Sequence, residues 1–131
     1  MKHNILARAA GLAAISALTL GAGTALAKDA ITIAVPSFLT GGAAGPFGIP
    51  AMNGAKMVAD AINAGKLPAP YDSKGFGGAT ATIEAIDEGG GATKQVAEYR
   101  NLVEKRGVDA VVGYISSGNC QALAPIAEEL K

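Results

Sequence analysis

The chain has 131 residues, half of them hydrophobic, with 11 basic residues balanced by 11 acidic ones and a single histidine. No basic stripe accompanies that balance, which excludes an electrostatic reader of nucleic acid. The one histidine is His3, so beyond the extreme amino terminus histidine-based triads, Cys–His pairs and histidine-ligated zinc are excluded.

The amino terminus reads as a secretory signal peptide over residues 1–27. Lys2 and Arg8 supply a positive start, Ala9 to Leu20 is an apolar run, and Ala25-Leu26-Ala27 gives a small-x-small cleavage site. The run is too short for a transmembrane anchor. No cysteine follows directly after the expected cut, so neither a lipid anchor nor stable membrane insertion is expected. Cleavage would leave Lys28 as the first residue and remove Lys2, Arg8 and His3. Nine basic residues then face 11 acidic ones, a net charge of about −2.

Residues 28–131 suffice for one small domain. Ile31 to Val35 is short, apolar and β-branched, as in a strand covered on both faces. A loop rich in glycine and proline follows, PSFLTGGAAGPFGIP, and Pro50 suits the first turn of a helix. From Ala51 to Ala64 the residues Met52, Ala55, Ala59 and Ile62 recur at helical spacing, and Gly65 is a natural cap. After a polar turn from Lys66 to Gly78, Ala79 to Ile86 has the composition of a second strand. DEGGGAT interrupts it.

Thr93 to Arg106 is amphipathic, with Val96, Tyr99, Leu102 and Val103 on one face, and Gly107 closes that helix. Val108 to Ile115 reads as a third strand. A last helix is expected from Asn119 to Leu130, disturbed by Pro125, which cannot donate to the Gln121 carbonyl. The order β-α-β-α-β-α without hairpin signals argues for an α/β fold, a Rossmann-like parallel sheet with helices on its faces. Three strands make a small sheet, so the chain is expected to be the front part of a larger protein.

In such sheets ligands bind beyond the carboxyl ends of the strands where strand order reverses. With the order 2-1-3, that point lies between the first and third strands. Their loops are PSFLTGGAAGPFG and YISSGNC. Ser116 and Ser117 could cap the final helix, or offer hydroxyl and N–H groups to an anionic ligand; the two roles are compatible. Phe47 is either ordinary core or a wall against an apolar part of the ligand. Asp87 and Glu88 could hold a hard cation, but an adjacent acidic pair is more often solvated or capping. GGGATK lacks the ending of a phosphate loop, and TGGAAG is out of register for a dinucleotide fingerprint. Tyr114 is expected to pack. Cys120 is either a buried small hydrophobe or half of a disulfide.

These residues carry a further pattern. ITIAVPSFLTGGAAGPFGIPAMNGAKMVADAINAG resembles the opening of the leucine/isoleucine/valine-type substrate-binding proteins of ABC importers. KQVAEYRNLVEKRGVDAVVGYISSGNCQALAPIAEELK is similar to that family's next segment, with its V-G-x-x-S-S-G loop and A-P-x-A-E-E helix. The resemblance covers essentially all of residues 28–131. It implies a type I periplasmic binding protein, two α/β lobes closing on a small ligand, with this chain as the first part of the amino-terminal lobe. By position, Ser116 and Ser117 match the serine loop that holds a ligand carboxylate, and Phe47 matches an aromatic residue lining the cleft.

Two departures stand out. The loop TGGAAGPFG is one residue longer than the commonest pattern, and DEGGGAT has glycines where the family carries a longer acidic stretch. YISSGNC is closer to members taking aromatic or other non-amino-acid ligands than to leucine binders. The resemblance implies no cofactor, a periplasmic location, and as partners the importer's permease subunits with their ATPases. The ligand would be a branched-chain amino acid or an aromatic or other organic acid. The same fold also serves as the ligand-binding module of sensory receptors. An enzyme on a Rossmann-like sheet is disfavoured by the missing histidine and nucleotide fingerprint.

Overall fold

The structure, a computed structural model, describes residues 28–130; the expected signal peptide lies outside the described residues. Strand β1 (Ala30–Ser37) is followed by a wide, π-type turn over Ala44–Gly48 that runs directly into helix α1 (Ile49–Ala64). Strand β2 (Thr80–Asp87), helix α2 (Gly91–Arg100), strand β3 (Ala110–Val111) and helix α3 (Ser117–Glu129) complete the chain order. The sheet has the order β2-β1-β3 and is parallel throughout. Both sequence expectations, the parallel α/β sheet and its strand order, are met.

Period-2 alternation along β1 sorts its side chains to two faces. Ile33 and Val35 turn with Ala81 and Ile83 toward Ala55, Ala59 and Ile62 of α1. Ala34 and Ile86 face the other way and pack on Leu102, with Val108 and Val111 at the margin. Leu102 lies in a second π-type segment, Asn101–Lys105, which continues α2. Helical conformation therefore covers nearly all of the span expected from its periodicity, but its last turn widens, with Arg106 N–H donating to Asn101 O at 3.0 Å.

Helix α1 ends as the sequence indicates. Gly65 closes α1 with its N–H on Ala61 O and Ile62 O. Asn63 then reaches across to β2, donating from Nδ2 to Ala81 O at 2.8 Å and accepting from Ala81 N–H at 2.7 Å. A side-chain amide thus satisfies part of the outer edge of β2. On the opposite face Glu84 pairs with Arg106, which also bonds Glu98 at 3.2 Å.

The third strand is a correction. An eight-residue strand is expected from Val108 to Ile115, but only Ala110–Val111 is strand. The reason lies in β1. Its residues Thr32 and Ala34 turn their carbonyls toward β3, accepting from Asp109 N–H and Val112 N–H at 2.9 Å each. Pro36 is the next residue in that series, and it has no N–H to offer. On the β2 side the pairing continues to Ser37↔Asp87, so β1 itself runs past the proline. Opposite Pro36 stands Gly113, with φ +155°, where a Cβ would come within 2.5 Å of the Pro36 carbonyl oxygen. Only glycine fits so close an approach, and there the chain leaves the sheet.

Two smaller differences concern α3. It starts at Ser117, two residues before the expected Asn119, because Ser116 serves as its N-cap. Pro125 is accommodated within it. Cys120 is exposed, so the buried-hydrophobe reading does not hold; its Sγ lies 3.5 Å from Tyr114 O.

Candidate functional site

The carboxyl ends of the three strands meet at one edge of the sheet, and two adjacent acidic residues organise it. Asp87 ends β2, and its carboxylate faces the β1–α1 loop. It accepts from Leu39 N–H at 3.0 Å, from Thr40 Oγ1–H at 2.7 Å and from Gly89 N–H at 3.2 Å. Glu88 is fully buried and turns the other way, toward the β3–α3 loop. Its carboxylate accepts from Ile115 N–H at 2.8 Å, Ser116 N–H at 2.6 Å and Asn119 Nδ2 at 3.1 Å. Its own N–H donates to Ser37 O at 2.9 Å, which ties the ends of β1 and β2 together.

The expected reading of this pair as capping groups is the one the geometry realises. Among the described residues there is no cluster of three or more metal-ligating side chains. The glycines that follow also have work in the turn: Gly89 O accepts from Gln95 Nε2 at 2.8 Å and Lys94 Nζ at 3.1 Å.

The Thr40 hydroxyl, then the Leu39 amide, hold the Asp87 carboxyl below the ordinary aspartate value of 3.8. A folded-state pKa below the unfolded one contributes stability that is present above 3.8 and is lost as pH falls through the lower folded value. Acidification is therefore expected to release the 38–40 segment. The Leu39 amide resonance should titrate with a midpoint below 3.8, and Asp87→Asn should abolish that titration. A midpoint at or above 3.8 would contradict the bonding described.

The β1–α1 loop is closed at its base by Ser37 Oγ, which donates to Gly48 O at 3.0 Å inside the protein. A Cβ at Gly48 would overlap the Phe38 carbonyl, so the two ends of the loop touch only because position 48 is glycine. Phe47, immediately before this clamp, is 59% exposed. It is not core; it stands on the wide turn at the strand end.

The structure separates the two serines. Ser116 is the N-cap, its Oγ accepting from Asn119 N–H at 3.4 Å, and its N–H is taken by Glu88. Ser117 is exposed at the first position of α3. Among the described residues no hydrogen bond uses its Oγ or the N–H groups of Ser117 and Gly118, as expected of an open helical first turn. The first turn of α3 therefore presents the Ser117 hydroxyl and the Ser117 and Gly118 N–H groups unbonded, at the same sheet edge as the loop carrying Phe47 beyond β1.

Tyr114 packs, as expected. With Tyr99, Cys120 and Leu123 it lines a cavity of about 250 Å³ between α2 and α3. Its hydroxyl is buried without a protein partner. Burial first, then the charge of Glu88, push its pKa up to about 12. Sequence reasoning missed the positions of Glu88 and Asn119 as the frame of the serine loop. The one available signal was the acidic pair directly after a strand, whose two side chains must leave on opposite sides.

This arrangement suits binding: it sets open donors and an exposed aromatic at the strand ends. No described helix is long and apolar enough to cross a membrane. No curated protein matches the chain. A family model described as Periplasmic binding protein matches residues 30–131. With that match, the α/β sheet and its flanking helices are those of a periplasmic-binding-protein lobe, acting outside the cytoplasm to bind a solute. The chain belongs to the periplasmic binding protein family.

Proposed function

We propose that this chain is the first part of the amino-terminal lobe of a two-lobe, type I receptor exported by a cleaved signal peptide. The receptor takes a small carboxylate-bearing ligand, a branched-chain amino acid or an aromatic or other organic acid, and delivers it to the permease subunits of an ABC importer. Ser117 and Phe47 contact the ligand, and Ser116 shapes the loop. The observation that carries the reading is Ser117: its hydroxyl is free and exposed on the open first turn of α3, while its neighbour Ser116 is committed to capping. Donors left open at a helix amino terminus can hydrogen-bond the oxygens of a carboxylate, and the strand-end position is where open α/β sheets bind.

The test is titration calorimetry of the full-length receptor with L-leucine and with benzoate. Binding of either supports the carboxylate reading, and the stronger of the two identifies the class. Failure of both overturns it.

A further inference from the structure

The Glu88 carboxylate makes three hydrogen bonds at its oxygens, from two backbone amides and one side-chain amide. None of those donors is a cation, and no ion pair of the described residues includes Glu88. The loops flanking it, 38–48 and 112–119, contain no lysine, arginine or histidine. Lys94 lies by Gly89 and acts on Asp87. A fully buried carboxylate, both oxygens accepting from N–H groups, therefore stands against Ser116, one residue from the free donors of Ser117 and Gly118.

We propose that Glu88 is a specificity-determining residue: a built-in anion at the amino terminus of α3 that takes up the Ile115 and Ser116 amides. It thereby disfavours a fully anionic ligand group at Ser117 relative to a neutral polar group of the same shape. The physical reason is that α3 presents its positive end to two claimants. Glu88 already neutralises part of it, and a second negative charge arriving at Ser117 meets repulsion that buried surroundings screen poorly. The site then accepts a carboxylate through hydrogen bonds rather than through net charge. It tolerates best a ligand whose own charge is balanced. This inference rests on the reading that Ser117 meets the ligand, but the charge it invokes can be measured without one.

The test uses the full-length protein with Glu88→Gln, which keeps the shape and removes the charge, and Glu88→Asp, which keeps the charge. In the unliganded protein, after mild reduction that frees the thiol from any disulfide, Cys120, exposed on the first turns of α3, serves as a local probe, with Cys120→Ser as background. Its rate with the dianionic reagent DTNB is divided by its rate with neutral dipyridyl disulfide, so that thiol accessibility and ionisation cancel. Glu88→Gln is expected to raise this ratio about threefold, and Glu88→Asp to leave it near wild type.

In the ligand arm, affinities for benzoate and benzamide, or for L-leucine and L-leucinamide, are compared. Glu88→Gln should raise the carboxylate-to-amide affinity ratio about tenfold, whatever it does to both affinities together. An unchanged thiol ratio, or an unchanged affinity ratio with a bound probe, overturns the proposal. A raised thiol ratio with no probe bound by the wild type supports the charge of Glu88 and overturns the carboxylate-ligand reading instead. Should Glu88→Gln fail to fold, the wild type decides: binding benzamide at least as tightly as benzoate supports the proposal, and tighter binding of benzoate overturns it.

Discussion

Ser117→Ala in the full-length receptor is expected to weaken binding of the carboxylate probe by about ten- to a hundredfold while leaving the unliganded protein as stable as wild type. A hydrogen bond to a charged group is worth about 1.5–3 kcal/mol, which converts to that range of affinity. The mutation removes nothing from the protein's own bonding, because Ser117 Oγ has no protein partner among the described residues. Ser116→Ala gives the contrast. It removes the acceptor of Asn119 N–H and should cost about 0.5–1 kcal/mol of stability, the low side of the range for caps because the bond is long. Calorimetry and urea unfolding on both variants separate the two roles. Unchanged affinity in Ser117→Ala would remove that residue from the binding site.

Glu88→Leu is expected to be the most damaging substitution at the strand-end edge, costing about 3–5 kcal/mol of folding stability. Leucine fills much of the volume but accepts nothing. Ile115 N–H, Ser116 N–H and Asn119 Nδ2 would then be left without their acceptor in a region where Glu88 and Asn119 are both buried. A loss of that size is a large part of the stability of an ordinary domain. Urea unfolding of the full-length protein, followed by far-ultraviolet circular dichroism, reads it directly. A loss below about 1 kcal/mol would mean that water replaces the carboxylate, and the loop would then not be held from within.

Both expectations turn on the same local fact, that neighbouring residues in YISSGNC have different partners. The serine pair is visible in the sequence as a capping or binding loop, but which serine caps is not. That choice depends on where the chain leaves β3, and it leaves early because Pro36, on a different strand, cannot donate to it. A strand's own β-branched composition cannot report a missing donor on its neighbour. Val112 and Ile115, written as strand interior by their side chains, are accordingly exposed.

Much else was determined locally. The helical repeat of Met52, Ala55, Ala59 and Ile62, the stop at Gly65 and the alternation of strand with helix are consequences of backbone preference and periodic burial, which nearby residues encode. Together they specify a parallel α/β sheet and put the β1 and β3 loops at one edge. The pairing of Asp87 with the β1 loop and of Glu88 with the serine loop spans 47 and 28 residues of chain respectively. Nothing in DEGGGAT states those distances. Two adjacent side chains leave an extended strand on opposite sides, and only the assembled sheet decides what each one meets.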